Sequence, residues 1–287
     1  MNTFLSILVD GIAYGMILFM ISVGLSVTMG LMRVINLAHG GFAMLGGALA
    51  HWLIAAGLDY WSAMALAVAG TMLIALPLER LLYQRIYRMG ELQQVLATIG
   101  IAFLMIASVN LWLGSTILPI PTPPLLRGAL DLGFRTLPYH RIVVIIAGLI
   151  VIALLFLLIE RTRFGIRLRA AVDHRATASV LGINTAAIYA LTFMLGAGLA
   201  ALGGVLGAEL LPIDAYYPLR YMVLFLTVVA VGGMGSITGS FVAALGLGIL
   251  DTAARYLVPD FGTIAFYAAM MLLLTLRPHG LMGRGHA

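Results

Sequence analysis

Polar positions in this chain gather into short clusters separated by long runs without charge. The charge-free windows are residues 11–32, 34–58, 60–78, 92–126, 142–159, 176–208, 221–250 and 261–276. Most of them reach the ~20 residues that an α-helix needs to cross a bilayer core. Nothing alternates apolar and polar over the roughly ten residues of a barrel strand, so the crossings are predicted to be helical. Nine are expected, near 5–29, 38–57, 61–79, 92–113, 141–159, 187–208, 219–238, 240–257 and 263–276, with the third, fifth and last the shortest. The opening run lacks the basic flank of a signal peptide and stays apolar too long for one, so it reads as a retained first span.

Composition narrows the class. The chain has 287 residues, 62% of them hydrophobic and only 9% charged, with a mean hydropathy of +1.09. A soluble domain is roughly half apolar and a quarter charged. The reading is therefore an all-α, polytopic membrane protein of eight to nine transmembrane helices, forming one transmembrane domain over residues 1–287. All 16 basic residues are Arg. Without a Lys there is no G-x-x-x-x-G-K-[ST] phosphate loop, so any ATP consumed in transport must be hydrolysed by another chain. The absence of Cys removes disulfides, thiolate metal sites and thiol nucleophiles. A pI near 9.7 raises nucleic acid as a partner, but that reading needs a basic patch on a soluble face, and Arg-rich cytoplasmic loops are the simpler account of the charge.

Those Arg residues also orient the chain. With the N-terminus outside, Arg33, Arg80, Arg85, Arg88, Arg161, Arg163, Arg167, Arg169, Arg175, Arg277 and Arg284 face the cytoplasm, and Arg127, Arg135, Arg141, Arg220 and Arg255 face out. Positive charge is retained inside, which favours N-out and C-in. The external connection 114–140 holds five of the ten prolines and is expected to be an irregular lid. The internal connection 160–184 is expected to hold a short amphipathic surface helix, N-capped by Asp173. Four spans precede the fifth and four follow it with opposite sense, the arrangement of an inverted repeat.

Few polar residues interrupt the apolar runs. In "GLMRVINLAHGGFAMLGG", Arg33, Asn36 and His39 would share one face if the segment is helical, and would then either line the inner end of a cavity or cap a tight turn. Small residues recur in 40–50, 195–208 and 232–248, including Gly203-x-x-x-Gly207, at spacings suited to close helix packing. Gly232, Gly233, Gly235 and Gly239 are dense enough to break a helix. Unwound backbone at membrane depth is tolerated only within protein or beside a water-filled cavity, so Gly232, Gly233, Gly235 and Ser236 are candidates for a substrate pathway. Ser236 with His39 as base would be a hydrolase pair, but Ser among glycines usually serves packing. No H-E-x-x-H is present and the six His are scattered, so no catalytic or metal centre is expected.

Three stretches, "GLSVTMGLMRVINLAHGGFAMLGG", "LRAAVDHRATASVLGIN" and "VVAVGGMGSITGSFVAALGLGILD", resemble the permease subunits of branched-chain amino acid ABC importers, the LivH-type inner-membrane family that also includes urea permeases. The resemblance implies an ABC importer permease fold in the bacterial inner membrane and a transported solute that is a branched-chain or other aliphatic amino acid. It also implies two ATP-binding-cassette ATPase subunits that bind ATP and Mg, a second homologous permease of the LivM kind, and an external substrate-binding protein. Carried over by motif, Arg169, Ala170, Ala171, Asp173, Ala178, Leu181, Gly182 and Ile183 would couple to the ATPase. Arg175 would lie on one side of that surface helix, and Val180, Leu181 and Ile183 would form its apolar contact. Arg33, Val34, Ile35, Asn36, Ala38, His39 and Gly40 match the signature near the translocation path. Urea or a related small amide is the alternative solute, and a self-sufficient secondary transporter or channel is the alternative class. A secondary transporter often needs intramembrane carboxylates, whereas the acidic residues here fall near predicted span ends.

Overall fold

A computed structural model describes residues 2–31, 34–131, 136–259 and 262–282. Among the described residues, nine helices are long: α1 (Asn2–Leu31), α2 (His39–Ala55), α3 (Tyr60–Leu78), α4 (Glu91–Leu113), α5 (Tyr139–Arg161), α8 (Thr185–Gly207), α9 (Tyr217–Gly232), α10 (Ile237–Leu257) and α11 (Gly262–Leu276). Between α5 and α8 lie the shorter α6 (Arg163–Asp173) and α7 (Arg175–Val180). Six of the nine are long and apolar enough to cross a membrane.

The order of lengths differs from the sequence reading. Helix α3 does not stop at the charges but runs on through a π-turn, Glu79–Tyr83, and a short helical piece, Gln84–Ile86. Pro77 inside α3 cannot donate the backbone bond of its turn, and the ladder widens just beyond it. Glu79 is carried into the protein instead of ending the helix. The short members are α2, α9 and α11, with 17, 16 and 15 residues. The first two are short because extended chain precedes each of them.

Two starts follow local chemistry. Asp59 caps α3 by accepting from the Trp61 and Ser62 backbone N–H groups, and the Ser62 hydroxyl holds its carboxyl below the usual range. Asn184 caps α8 through Ala187. Asp173, by contrast, is the last residue of α6 and does not cap α7, whose N-cap position is His174 without a side-chain bond. Asp173 is taken up by α6, a helix the sequence reading did not separate from the next, with Leu168 and Ala171 buried on its inner face. The 114–140 connection is also more ordered than expected. Strands β1 (Ala129–Asp131) and β2 (Thr136–Pro138) pair antiparallel, and Leu118 donates to the Ile213 carbonyl at 2.8 Å.

Glycine sets the packing. An added Cβ on Gly24 would lie 2.5 Å from the Gly196 carbonyl oxygen, and one on Gly46 would lie 2.5 Å from Ala201 Cα. Along α1 and α8, Ile17 meets Gly207, Ile21 meets Gly203 and Gly24 meets Gly196, so the two helices run antiparallel. Helix α1 also packs on α9 and α10, as α8 packs on α2 and α3. Helix α2 packs on α3 and α4, as α9 packs on α10 and α11. Exchanging α1–α4 with α8–α11 thus converts one set of pairings into the other. With the antiparallel α1–α8 contact, this is the pattern of two inverted repeats. Helix α5 lies outside the exchange and leans on α1 through Gly148 and Met16.

Candidate functional site

Helix α2 begins inside the protein. Arg33 lies outside the described residues, but residues 34–38 run extended or turned, so Asn36 and His39 do not share a helical face as expected. Asn36 is buried, and its Oδ1 accepts from the Ala38 N–H at 3.1 Å and from the Tyr83 hydroxyl at 2.8 Å. Side chains of α4 satisfy the extended backbone: Gln94 Oε1 accepts from Ile35 N–H and Thr98 Oγ1 from Leu37 N–H. His39 Nε2 donates to the Ile21 carbonyl of α1 at 3.0 Å. An interrupted helix is tolerated in apolar surroundings only when its freed polar groups find such partners.

Helix α9 begins the same way. Residues 213–217 are buried except for Tyr216, and Asp214 pairs with Arg220 at 2.7 Å. The two beginnings meet, since a Cβ on Gly40 would lie 3.3 Å from Pro218 Cα and 3.5 Å from the Phe225 ring. The repeats therefore place two helix N-termini head to head. Asn36 Nδ2, Asp214 Oδ1 and the Tyr217 hydroxyl are buried there without a partner among the described residues.

The glycine-rich candidates lie elsewhere. Gly232 ends α9, Gly233 and Gly235 adopt φ of +95° and +81°, and Ser236 Oγ caps α10 by accepting from Gly239 N–H at 2.9 Å. The tail braces this turn, with Leu281 N–H donating to the Val231 carbonyl at 2.7 Å. Helix α9, roughly 24 Å long for its 16 residues, separates the turn from Pro218. Ser236 and His39 each have another partner, and nothing assembles them as a nucleophile and base.

The candidate coupling residues form an exposed corner. Ala171 and Ala178 are buried against the bundle, while Arg169 reaches Glu160 at 3.1 Å. Ala170 is half-buried and Asp173 exposed. Val180 and Leu181 are 88% and 76% exposed. Gly182 closes α7 with φ +82°, and its N–H bonds the Ser179 carbonyl. Ile183 returns to a small core with Val34, Leu168 and Tyr189, so it is not part of the exposed apolar tip.

This corner connects to the start of α2 through aromatic rings. The Arg175 guanidinium lies 5.0 Å from the Tyr189 ring centroid, Tyr189 lies 6.0 Å from Tyr87, and Tyr87 lies 6.4 Å from Tyr83. Tyr83 bonds Asn36 and stacks 4.4 Å from Phe193, which meets Phe42 at 5.5 Å. Tyr83→Phe keeps the ring and removes only the hydroxyl bond to Asn36. The expected loss is about 1–2 kcal/mol, read as a lower melting temperature of the purified chain, with no change in its helical content.

At the other end of the bundle is a cavity of about 610 Å³ that the sequence reading did not anticipate. Asp10, Tyr14, Arg141, Arg220, Tyr221, Asp251, Arg255, Tyr256 and Tyr267 line it, with Leu210, Leu211, Leu224 and Phe266. Asp10 bonds Arg141 and accepts from the Tyr256 hydroxyl at 2.8 Å, and Asp251 meets Arg255 at 2.8 Å. Beside the cavity, His140 Nδ1 lies 2.8 Å from Glu209, a bond that holds the Glu209 carboxyl below its usual range. Helix α9 links the cavity to the head-to-head helices: Tyr221 lines the cavity, Tyr217 meets its ring edge to face at 4.7 Å, and Phe225 reaches Gly40.

Residues 7–275 match the family model described as branched-chain amino acid transport system / permease component. The chain is 29% identical to the high-affinity branched-chain amino acid transport system permease protein LivH of Escherichia coli, over 98% of this chain and 96% of that one. It is 29% identical, with the same coverage, to the corresponding protein BraD of Pseudomonas aeruginosa. To the probable LivH of Methanocaldococcus jannaschii it is 26% identical, over 96% and 92% of the two chains. No solved structure matches the chain significantly.

Proposed function

The chain belongs to the family of permease components of branched-chain amino acid transport systems, and from that membership we propose that it carries branched-chain amino acids inward as one subunit of an ATP-driven importer. It is a multi-pass membrane protein and a transport subunit. The observation that carries the reading is the pair of interrupted helices, α2 and α9, meeting at Gly40 and Pro218. Interrupted helices at a repeat interface are where transporters place their paths, and rigid-body movement of one repeat against the other opens such a path from alternate sides.

In this reading the N-terminus is external and the Asp10–Arg255 cavity faces the substrate-binding protein. Segment 160–184 is the cytoplasmic coupling loop, with Val180 and Leu181 inserted into an ATPase, and 114–140 is the external loop. Asn36, His39 and Gly40 border the path. Gly232, Gly233, Gly235 and Ser236 form the inner hinge between α9 and α10, which moves with the coupling corner. The complete importer adds a second homologous permease and two ATPases that bind ATP and Mg.

Affinity purification from native membranes tests the assembly. Recovery of two ATPases and a second permease, together with ATP-dependent leucine uptake in proteoliposomes, is the expected result. Uphill leucine uptake by this chain alone under an ion gradient would overturn it in favour of a secondary transporter.

A further inference from the structure

The cavity opposite the coupling corner is lined by ions arranged with a consistent sense. Three Asp–Arg pairs reach it, with Asp214 behind its lining residue Arg220, and in each the carboxylate is less exposed than the guanidinium. The side chains of Asp10, Asp214 and Asp251 are 10%, 5% and 7% exposed, against 20%, 49% and 65% for Arg141, Arg220 and Arg255. The pairs cancel in net charge, and although Asp10 and Asp251 also line the cavity, the more exposed partner of each pair is the N–H donor. A guanidinium carries five such donors in a planar fork. Arg255 spends Nε on Asp251 and Arg220 spends one Nη on Asp214, and their other nitrogens have no partner among the described residues. Arg141 Nε is likewise buried without one.

The rest of the wall is apolar or aromatic. Leu210, Leu211, Leu224 and Phe266 supply a surface for an aliphatic group, while Tyr14, Tyr221 and Tyr267 present rings whose faces attract a cation. The volume, about 610 Å³, falls within the range of small-molecule sites. Nothing among the permease residues already discussed uses these guanidinium donors.

We propose that this cavity is a solute-binding vestibule that selects for a carboxylate: Arg220 and Arg255 grip the α-carboxylate of an aliphatic amino acid while the leucines and aromatic rings receive its side chain. The inference rests on the permease reading above and deepens it. It assigns to the membrane subunit a chemical selection additional to that of any binding protein, and it makes a neutral amide the wrong solute.

Direct binding to the full chain in lipid nanodiscs separates this proposal from the transport reading, because it needs neither ATP nor partner subunits. L-leucine and 4-methylpentanoate, which share the carboxylate, should both bind by saturation-transfer NMR and displace one another. L-leucinamide and urea, which lack it, should not. Removing one guanidinium fork should weaken leucine binding by about tenfold or more, the scale of a lost charge-assisted bond. Two variants guard against misfolding. Arg220→Lys with Arg255→Lys retains every charge but loses the forks, and Asp251→Asn with Arg255→Gln removes a pair without stranding a buried acid. Both should fold and bind leucine weakly. Leucinamide binding equal to leucine, or unchanged leucine affinity in both folded variants, would overturn the proposal. So would variants that lose only the docking of the binding protein. Failure of the wild-type importer to take up leucine would instead fall on the permease reading, since vestibule binding is measured apart from uptake.

Discussion

Leu181→Asp combined with Gly182→Asp is expected to abolish leucine uptake and solute-stimulated ATP hydrolysis while leaving the chain inserted and folded. Leu181 is 76% exposed, so a carboxylate there stays in water and strands no buried charge. Gly182 has φ +82° with open space around the position of an added Cβ. Asp is among the side chains that tolerate this left-handed region, at a cost of about 1 kcal/mol. The fold therefore loses little. The corner loses its apolar tip, and two negative charges enter whatever cleft receives it. Uptake and ATPase assays on reconstituted importer, beside the melting temperature of the variant chain, separate the two effects. Normal uptake in the folded variant would remove Val180–Gly182 from the coupling contact.

The same corner shows what the sequence carries of a candidate site. An exposed Val-Leu-Gly after a run of Arg is conspicuous, because water-facing loops rarely expose adjacent large apolar residues without a partner. Charge-free windows likewise overlap the long helices of the described residues, since a segment that crosses a bilayer must be long and apolar. What they could not show is where a helix starts within such a window. Residues 34–38 lie within one such window and are extended or turned, with Gln94 and Thr98 of α4 accepting from their backbone N–H groups and the Tyr83 hydroxyl bonding Asn36; residues 213–216 lie between two windows, where the Ile213 carbonyl accepts from Leu118 of the 114–140 connection.

The charged cavity escaped for a related reason. Asp10 and Asp251 stand at the ends of charge-free windows and look like ordinary span termini. Their partners differ in visibility: Arg255 is four residues from Asp251, a spacing that marks a helical ion pair, whereas Arg141 is 131 residues from Asp10. Only the antiparallel packing of the two repeats gathers these ends around one space. A buried carboxylate is costly unless paired, so three Asp–Arg pairs at one end of an apolar bundle indicate a solvated, polar-walled space.

Glycines test the packing against the path, and Gly24→Ala should cost the fold heavily. A Cβ at residue 24 would lie 2.5 Å from the Gly196 carbonyl oxygen and 2.9 Å from Gly196 Cα. Both are backbone atoms in the middle of α8, so neither can rotate aside, and α1 and α8 must separate along their whole contact. Overpacking of this kind costs about 1–3 kcal/mol where side chains can adjust, and more where they cannot. Gly40→Ala is the matched control. Its Cβ would sit 3.3 Å from Pro218 Cα and 3.5 Å from the edge of the Phe225 ring, a gap that a shift of a few tenths of an ångström relieves. Size-exclusion yield and melting temperature should fall sharply for Gly24→Ala and little for Gly40→Ala. Gly40→Leu should then fold but fail in uptake, because its side chain wedges between the two helix starts that must move past one another. Equal losses of folded protein in Gly24→Ala and Gly40→Ala would mean that the α2–α9 junction is as rigid as the α1–α8 contact, and would exclude it as the moving part.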